Sequence, residues 1–152
     1  MANTQAVCTS FKNELLAGYH NFSGTNPSRS ANTRDSFKAA LFLASATINA
    51  ATTAYSTTGE VTGTGYTAGG VAVTNATNPT TSGTTAYWTP SASLAWTTVT
   101  LSTSFDCVLI YNSTNGDRAV AAYTFGSQTV TAGNFTLTMP TNDSTNALLR
   151  IA

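Results

Sequence analysis

"FDCVLIYNSTNGDRAVAAYTF", residues 105–125, decides the fold class. Its first eight residues are the most apolar run in the chain. A short apolar run with β-branched and aromatic members reads as a strand buried on both faces, at the centre of a sheet. "NSTNGD" then makes a tight turn, with Asn115-Gly116 supplying positive φ. "RAVAAYTF" returns as the hairpin partner.

Working outward, "FTLTMP" alternates cleanly, with Phe135, Leu137 and Met139 inward and Thr136 and Thr138 outward. "SFKAALFL" also alternates, placing Phe37, Ala39, Leu41 and Leu43 on one face and Ser36 and Lys38 on the other. The Ala-rich continuation to Ala54 fits strand or helix. "VAVT" (71–74), "TAYW" (85–88), "SLAWTTVTL" (93–101) and "ALLRI" (147–151) add further short strands, with "NATNPTTSGT" as a loop. In "SLAWTTVTL" the inward parity changes between Trp96 and Val99, which predicts a bulge near Thr97 and Thr98. At the N-terminus Val7, Phe11, Leu15 and Tyr19 recur every fourth residue, a helical stripe ending near Gly18. Residues 20–34 are rich in turn formers and read as a loop or arm. The pattern predicts a mainly β fold: an antiparallel β-sandwich, jelly-roll-like, with one short N-terminal α-helix. Residues 1–35 would carry the helix and arm, and residues 36–152 the sandwich.

Composition bounds the function. The chain has 152 residues and zero formal net charge, and only 8% of it is charged, against roughly 25% in an ordinary soluble domain. No basic stripe exists to neutralise phosphates, so no nucleic-acid partner is expected. "AALFLASA" is too short to span a bilayer, so no membrane partner is expected either. With no signal-like start, synthesis in the cytoplasm is expected. The two cysteines, Cys8 and Cys107, read as buried free thiols.

Five glycines lie between Gly59 and Gly70 in "YSTTGEVTGTGYTAGGVAV". A dinucleotide fingerprint needs its third glycine one residue earlier and a helix after it, whereas "VAV" reads as a strand. These glycines are therefore joints in β-structure. No cofactor, metal site or catalytic residue is expected. His20, the lone histidine, falls in a Gly/Asn/Ser-rich arm and reads as a surface residue. Asp35 and Asp117, each beside an arginine, read as turn charges. Asp106 either faces solvent or pairs with a group such as Arg150. Trp88 and Trp96 could pack in the core or offer a platform for stacking sugar rings.

The order of "KAALF" (38–42), "AYSTTGEVTGTGYTAGG" (54–70) and "LIYNSTNGDRAV" (109–120) resembles small virion structural proteins of tailed bacteriophages, of the capsid cement or decoration kind. The resemblance covers most of residues 36–151. It implies a β-sandwich on the outside of a capsid, with the major capsid protein as partner and self-association or lattice-neighbour contacts. It brings no catalytic residues with it. The helix stripe of Val7, Phe11, Leu15 and Tyr19, together with the arm, is the expected partner contact. A tail or baseplate component, or a carbohydrate-binding module using Trp88 and Trp96, are the competing expectations.

Overall fold

The expected hairpin forms the spine of the protein. A computed structural model describes residues 2–24, 33–74 and 77–152; the arm expected over 20–34 therefore lies partly outside the described residues. In chain order the elements are β1 (Ala6–Val7), α1 (Thr9–Leu16), β2 (Phe37–Leu43), β3 (Val71–Ala72), β4 (Thr80–Ser82), β5 (Thr85–Trp88), β6 (Leu94–Asn112), β7 (Arg118–Leu137) and β8 (Leu149–Ile151). They make two antiparallel sheets, ordered β1-β7-β6-β2-β3 and β4-β5-β8. The fold is mainly β, with one short N-terminal helix.

β6 and β7 are 19 and 20 residues long. Each joins two segments that the sequence pattern separates, because Thr-, Ser- and Gly-rich residues interrupt the apolar alternation between them. The backbone pairs through these interruptions by shifting register several times. The bulge expected near Thr97 and Thr98 is present between Trp96 and Val99, and Thr98 has φ 53°. In the hairpin turn, positive φ falls on Gly116 and Asp117 rather than on Asn115.

β2 departs from the half-buried strand its alternation suggested. Ala39, Ala40, Leu41 and Phe42 are all buried. Phe37 stacks on Phe22 at 4.4 Å, and Phe22 meets Trp88 of the small sheet edge-on. On the other face, where Lys38 pairs with Tyr111, Tyr55 stacks on the Tyr111 ring at 4.6 Å. The Ala-rich continuation to Ala54, which fits strand or helix in the sequence, instead runs in turns.

The glycine segment closes the outer edge of β2. Leu43 N–H donates to the Gly59 carbonyl, Val61 N–H to Leu41 and Val73 N–H to Phe37, each at 2.9–3.0 Å. β3 pairs with Lys38 and Ala39 in between. Beyond the end of β2, Thr100 N–H of β6 donates to the Thr64 carbonyl at 2.9 Å. The approach is too close for side chains: a Cβ on Gly63 or Gly65 would overlap the Thr100 or Thr98 carbonyl oxygen.

The N-terminus is part of the same core. β1 pairs with β7 through Ala6–Ala122 and Val7–Ala121. Helix α1 begins only at Thr9, so Val7 lies in a strand and Tyr19 lies past the helix. Gly18, at φ 74°, ends the helix where expected. Gly18 N–H donates to Leu15 and Tyr19 N–H to Glu14, the paired bonds of a Schellman cap.

Gly70 gives a direct test of the edge closure. Its φ is +70°, and a Cβ there would overlap the Ala39 carbonyl oxygen. Gly83, at φ +58° in the β4–β5 turn, has open space around it. Gly83→Ala should cost about 1–2 kcal/mol of left-handed strain, and Gly70→Ala distinctly more. Chemical-denaturation midpoints check this; equal shifts would contradict the close approach.

Candidate functional site

Two buried carboxylates hold hydrogen-bond networks that the sequence reading did not single out. Glu60 is only 5% exposed. One of its oxygens accepts from the Tyr55 hydroxyl at 2.6 Å, and the other from the Tyr66 hydroxyl and Gly69 N–H, both at 2.8 Å. The Tyr66 hydroxyl in turn accepts from Leu41 N–H at 3.0 Å, satisfying an amide on the outer edge of β2. The Tyr111 hydroxyl donates to the Gly69 carbonyl at 2.8 Å. Glu60 thus ties the glycine segment to β2 and β6. The sequence signal was a lone carboxylate between two tyrosines in a glycine-rich stretch, each hydroxyl a possible partner for it.

Glu14 and His20, also buried, form the second network. Glu14 Oε2 meets His20 Nε2 at 2.8 Å, and Glu14 Oε1 meets the Arg118 guanidinium at 2.7 Å. His20 Nδ1 lies 3.1 Å from Asn112 Nδ2, which also donates to Asp35 at 2.7 Å. An amide nitrogen only donates, so Nδ1 accepts and the network assigns the ring proton to Nε2. His20 is therefore not the surface residue its polar neighbours suggested. Phe11 packs edge-on against its ring, 4.8 Å between centroids. With both nitrogens engaged inside the protein, the imidazole braces the helix against the hairpin turn. Asp35 likewise does more than mark a turn: it accepts from Asn21 N–H and Asn112. Asp106 accepts from Asn3 Nδ2 at 2.7 Å, and Arg150 instead reaches the Ser144 carbonyl.

An apolar groove of about 740 Å³ lies between α1 and β8. Its walls include Phe11, Leu15 and Leu16 from the helix and Leu149 and Ile151 from the strand. Leu16 is 92% exposed and Ile151 52%. Among the described residues the only other large exposed apolar side chain is Tyr19, whose ring is covered by the Arg118 guanidinium at 4.3 Å.

The residues expected to meet a partner divide accordingly. Leu15 and Val7 line the groove, partly buried. Phe11 is 1% exposed and belongs to the core. Tyr19 is not among the groove's lining residues. Leu16, outside the fourfold stripe, is the most exposed. Trp88 and Trp96 are 2% and 3% exposed, so neither offers a ring face to a sugar. Cys8 and Cys107 are buried and unbonded to each other.

Neither protein-family models nor curated proteins match the sequence, and no solved structure matches the fold.

The networks carry two expectations. Glu60→Gln puts an amide donor where two hydroxyls and an amide need acceptors, and should cost about 1–3 kcal/mol. Thermal unfolding reads it, and an unchanged midpoint would mean the network contributes nothing. The second concerns alkaline pH. Burial raises the Cys8 thiol to about 11 and the Tyr111 hydroxyl to about 12, from ordinary values of 9.0 and 10.0. Burial, reinforced by the Glu60 carboxylate, also raises Tyr55 and Tyr66. These groups hold their protons more tightly folded than unfolded. Their stabilisation is complete below the ordinary values and is lost as pH climbs from about 9 towards 12. Tyrosinate absorbance should therefore rise together with loss of circular dichroism. Free ionisation of these tyrosines near pH 10 in an intact fold would contradict it.

Proposed function

We propose that this chain is a non-enzymatic structural protein of a bacteriophage virion, binding the outer surface of the capsid as a cement or decoration protein. The observation that carries the proposal is the apolar α1–β8 groove with Leu16 standing at it, on a surface otherwise nearly uncharged and rich in Thr, Ser and Asn. Apolar side chains left this exposed mark a place for a protein partner. The resemblance in "AYSTTGEVTGTGYTAGG" and "LIYNSTNGDRAV" supplies the kind of partner: the major capsid protein. In this reading the two sheets are the leaves of a jelly-roll-like sandwich. Both buried carboxylates are spent on holding the fold, which favours a structural role.

The mechanism is adhesion by buried area. A protein seated across neighbouring capsid subunits adds interface that shell expansion or internal pressure must break. A specific interface of ordinary size buries about 1,600 Å², and contacts between neighbouring copies on the shell add a multivalent gain.

Deleting residues 1–20 would remove Phe11, Glu14 and His20 from the core and confuse adhesion with folding. Leu16→Asp leaves the core untouched. Burial of one leucine is worth about 1.5–3 kcal/mol, so the variant should bind purified capsids at least about tenfold more weakly in co-sedimentation, with unchanged circular dichroism. Undiminished binding would overturn the groove as the attachment face. Electron microscopy of the native particle places the chain: copies in icosahedral register support cementing, whereas a few copies at one vertex would make it a tail or baseplate component.

A further inference from the structure

We propose that His20 is a proton-driven latch on the β6–β7 hairpin turn: uptake of a second ring proton forces Asn112 out of its contacts and releases the turn. The latch works whatever the protein adheres to.

It rests on the polarity of the hydrogen bonds around Asn112, which is fully buried. The Asn112 side-chain oxygen accepts from Thr114 N–H at 3.1 Å and from Asn115 N–H at 3.2 Å, closing the turn. Its side-chain nitrogen donates to Asp35 at 2.7 Å and meets His20 Nδ1 at 3.1 Å. Backbone donors on one side and a carboxylate on the other fix which way the amide points. His20 Nδ1 therefore fits only as an acceptor, and the ring only as neutral imidazole with its proton on Nε2, facing Glu14.

Histidine is the side chain that ordinarily changes charge between about pH 5 and pH 8. A proton on Nδ1 points a donor at the Asn112 donor. Turning the Asn112 amide over removes that clash, but it sets the oxygen against the Asp35 carboxylate and the nitrogen against the Thr114 and Asn115 amides. Either response takes the cap from the turn. The same turn holds the end of the helix through Asn115 Nδ2, which donates to the Tyr19 carbonyl at 2.8 Å, so that tie loosens with it.

The charges around the ring decide which side gives way. Glu14 of α1 already faces Nε2, and its carboxylate attracts an imidazolium. Asp35, ahead of β2, lies beyond Asn112 and attracts it as well. Arg118 of β7 opposes, but its guanidinium is partly exposed and is paired with the other Glu14 oxygen. Phe11 and Phe22 are uncharged neighbours of the ring. Two carboxylates against one screened cation keep the charged ring in place, so the Glu14 contact holds and the Asn112 contact yields.

The test is nuclear magnetic resonance of the whole chain, titrated from about pH 8 to about pH 5. At the alkaline end the His20 ring nitrogens should show the neutral form protonated on Nε2. As the ring takes its second proton, exchange protection at the Thr114 and Asn115 amides should fall at least about tenfold. Amides elsewhere in β6 and β7 should keep their protection. His20→Gln, which cannot titrate, should hold the turn protected throughout, with its fold checked by circular dichroism; should it not fold, the titration of the native chain decides alone. A ring already charged at the alkaline end, a ring that never titrates in this range, or turn protection unchanged as it titrates would each overturn the proposal. So would unfolding of the whole sheet in step with the ring, or the same loss of protection in a folded His20→Gln.

Discussion

The constraint on which the rest of this structure depends is the outer edge of β2. Ala39 to Phe42 are buried on both faces, and a buried strand edge with open amides would forfeit roughly 1–3 kcal/mol per unpaired group. The chain meets this with one excursion, residues 59–73, that runs along the edge and back. Backbone carbonyls take some of the donors, β3 takes others, and the Tyr66 hydroxyl takes Leu41 N–H. Glycine is required because the excursion presses onto β2 and β6 backbone with no room for Cβ. The phosphate-loop look of the segment follows from this packing, since glycines that admit a phosphate admit a neighbouring strand for the same steric reason.

Charge is used sparingly and inside. Of a chain with only 8% charged residues, Glu14 and Glu60 are committed to the interior. Each is surrounded by donors: two hydroxyls and an amide for Glu60, an imidazole and a guanidinium for Glu14. A buried carboxylate without such partners would be driven to neutralise. The two networks fasten opposite parts of the hairpin sheet, Glu60 the β2 edge and Glu14 the turn and helix. The surface is left mostly to neutral hydrogen-bonding groups, which carry little like-charge repulsion.

Much of the fold was legible in the sequence because periodicity reports burial. The hairpin at 105–125, the bulge after Trp96 and the helix end at Gly18 all follow from local rules. The long reach of β6 and β7 did not, since Thr-rich residues pair in a ladder without showing an apolar alternation. Leu16 lies alongside the fourfold stripe of Leu15 and Tyr19 in the sequence, and only the docking of α1 decides which leucine stays outside. His20 and Glu60 escaped for a related reason. Their partners, Asn112 and Tyr66 among them, are brought near by topology, and a lone polar residue in a loop carries no mark of that. Trp88 and Trp96 had a local reading as core residues, and burial favours it.

The groove gains meaning from how the other edge of the large sheet is treated. β1 covers β7 only at Ala121 and Ala122, and no charged residue occurs between Ala119 and Asn142. A long uncharged edge invites pairing between copies, and proteins commonly block it with charges, prolines or bulges. Here the block is geometric: β7 shifts register against β6 repeatedly, and Ala132 takes φ 44°. A strand so kinked is a poor template for a continuous ladder. The exposed apolar side chains that line a recess, Leu16 and Ile151, are instead gathered at the α1–β8 groove, beside a β8 edge too short to pair indiscriminately.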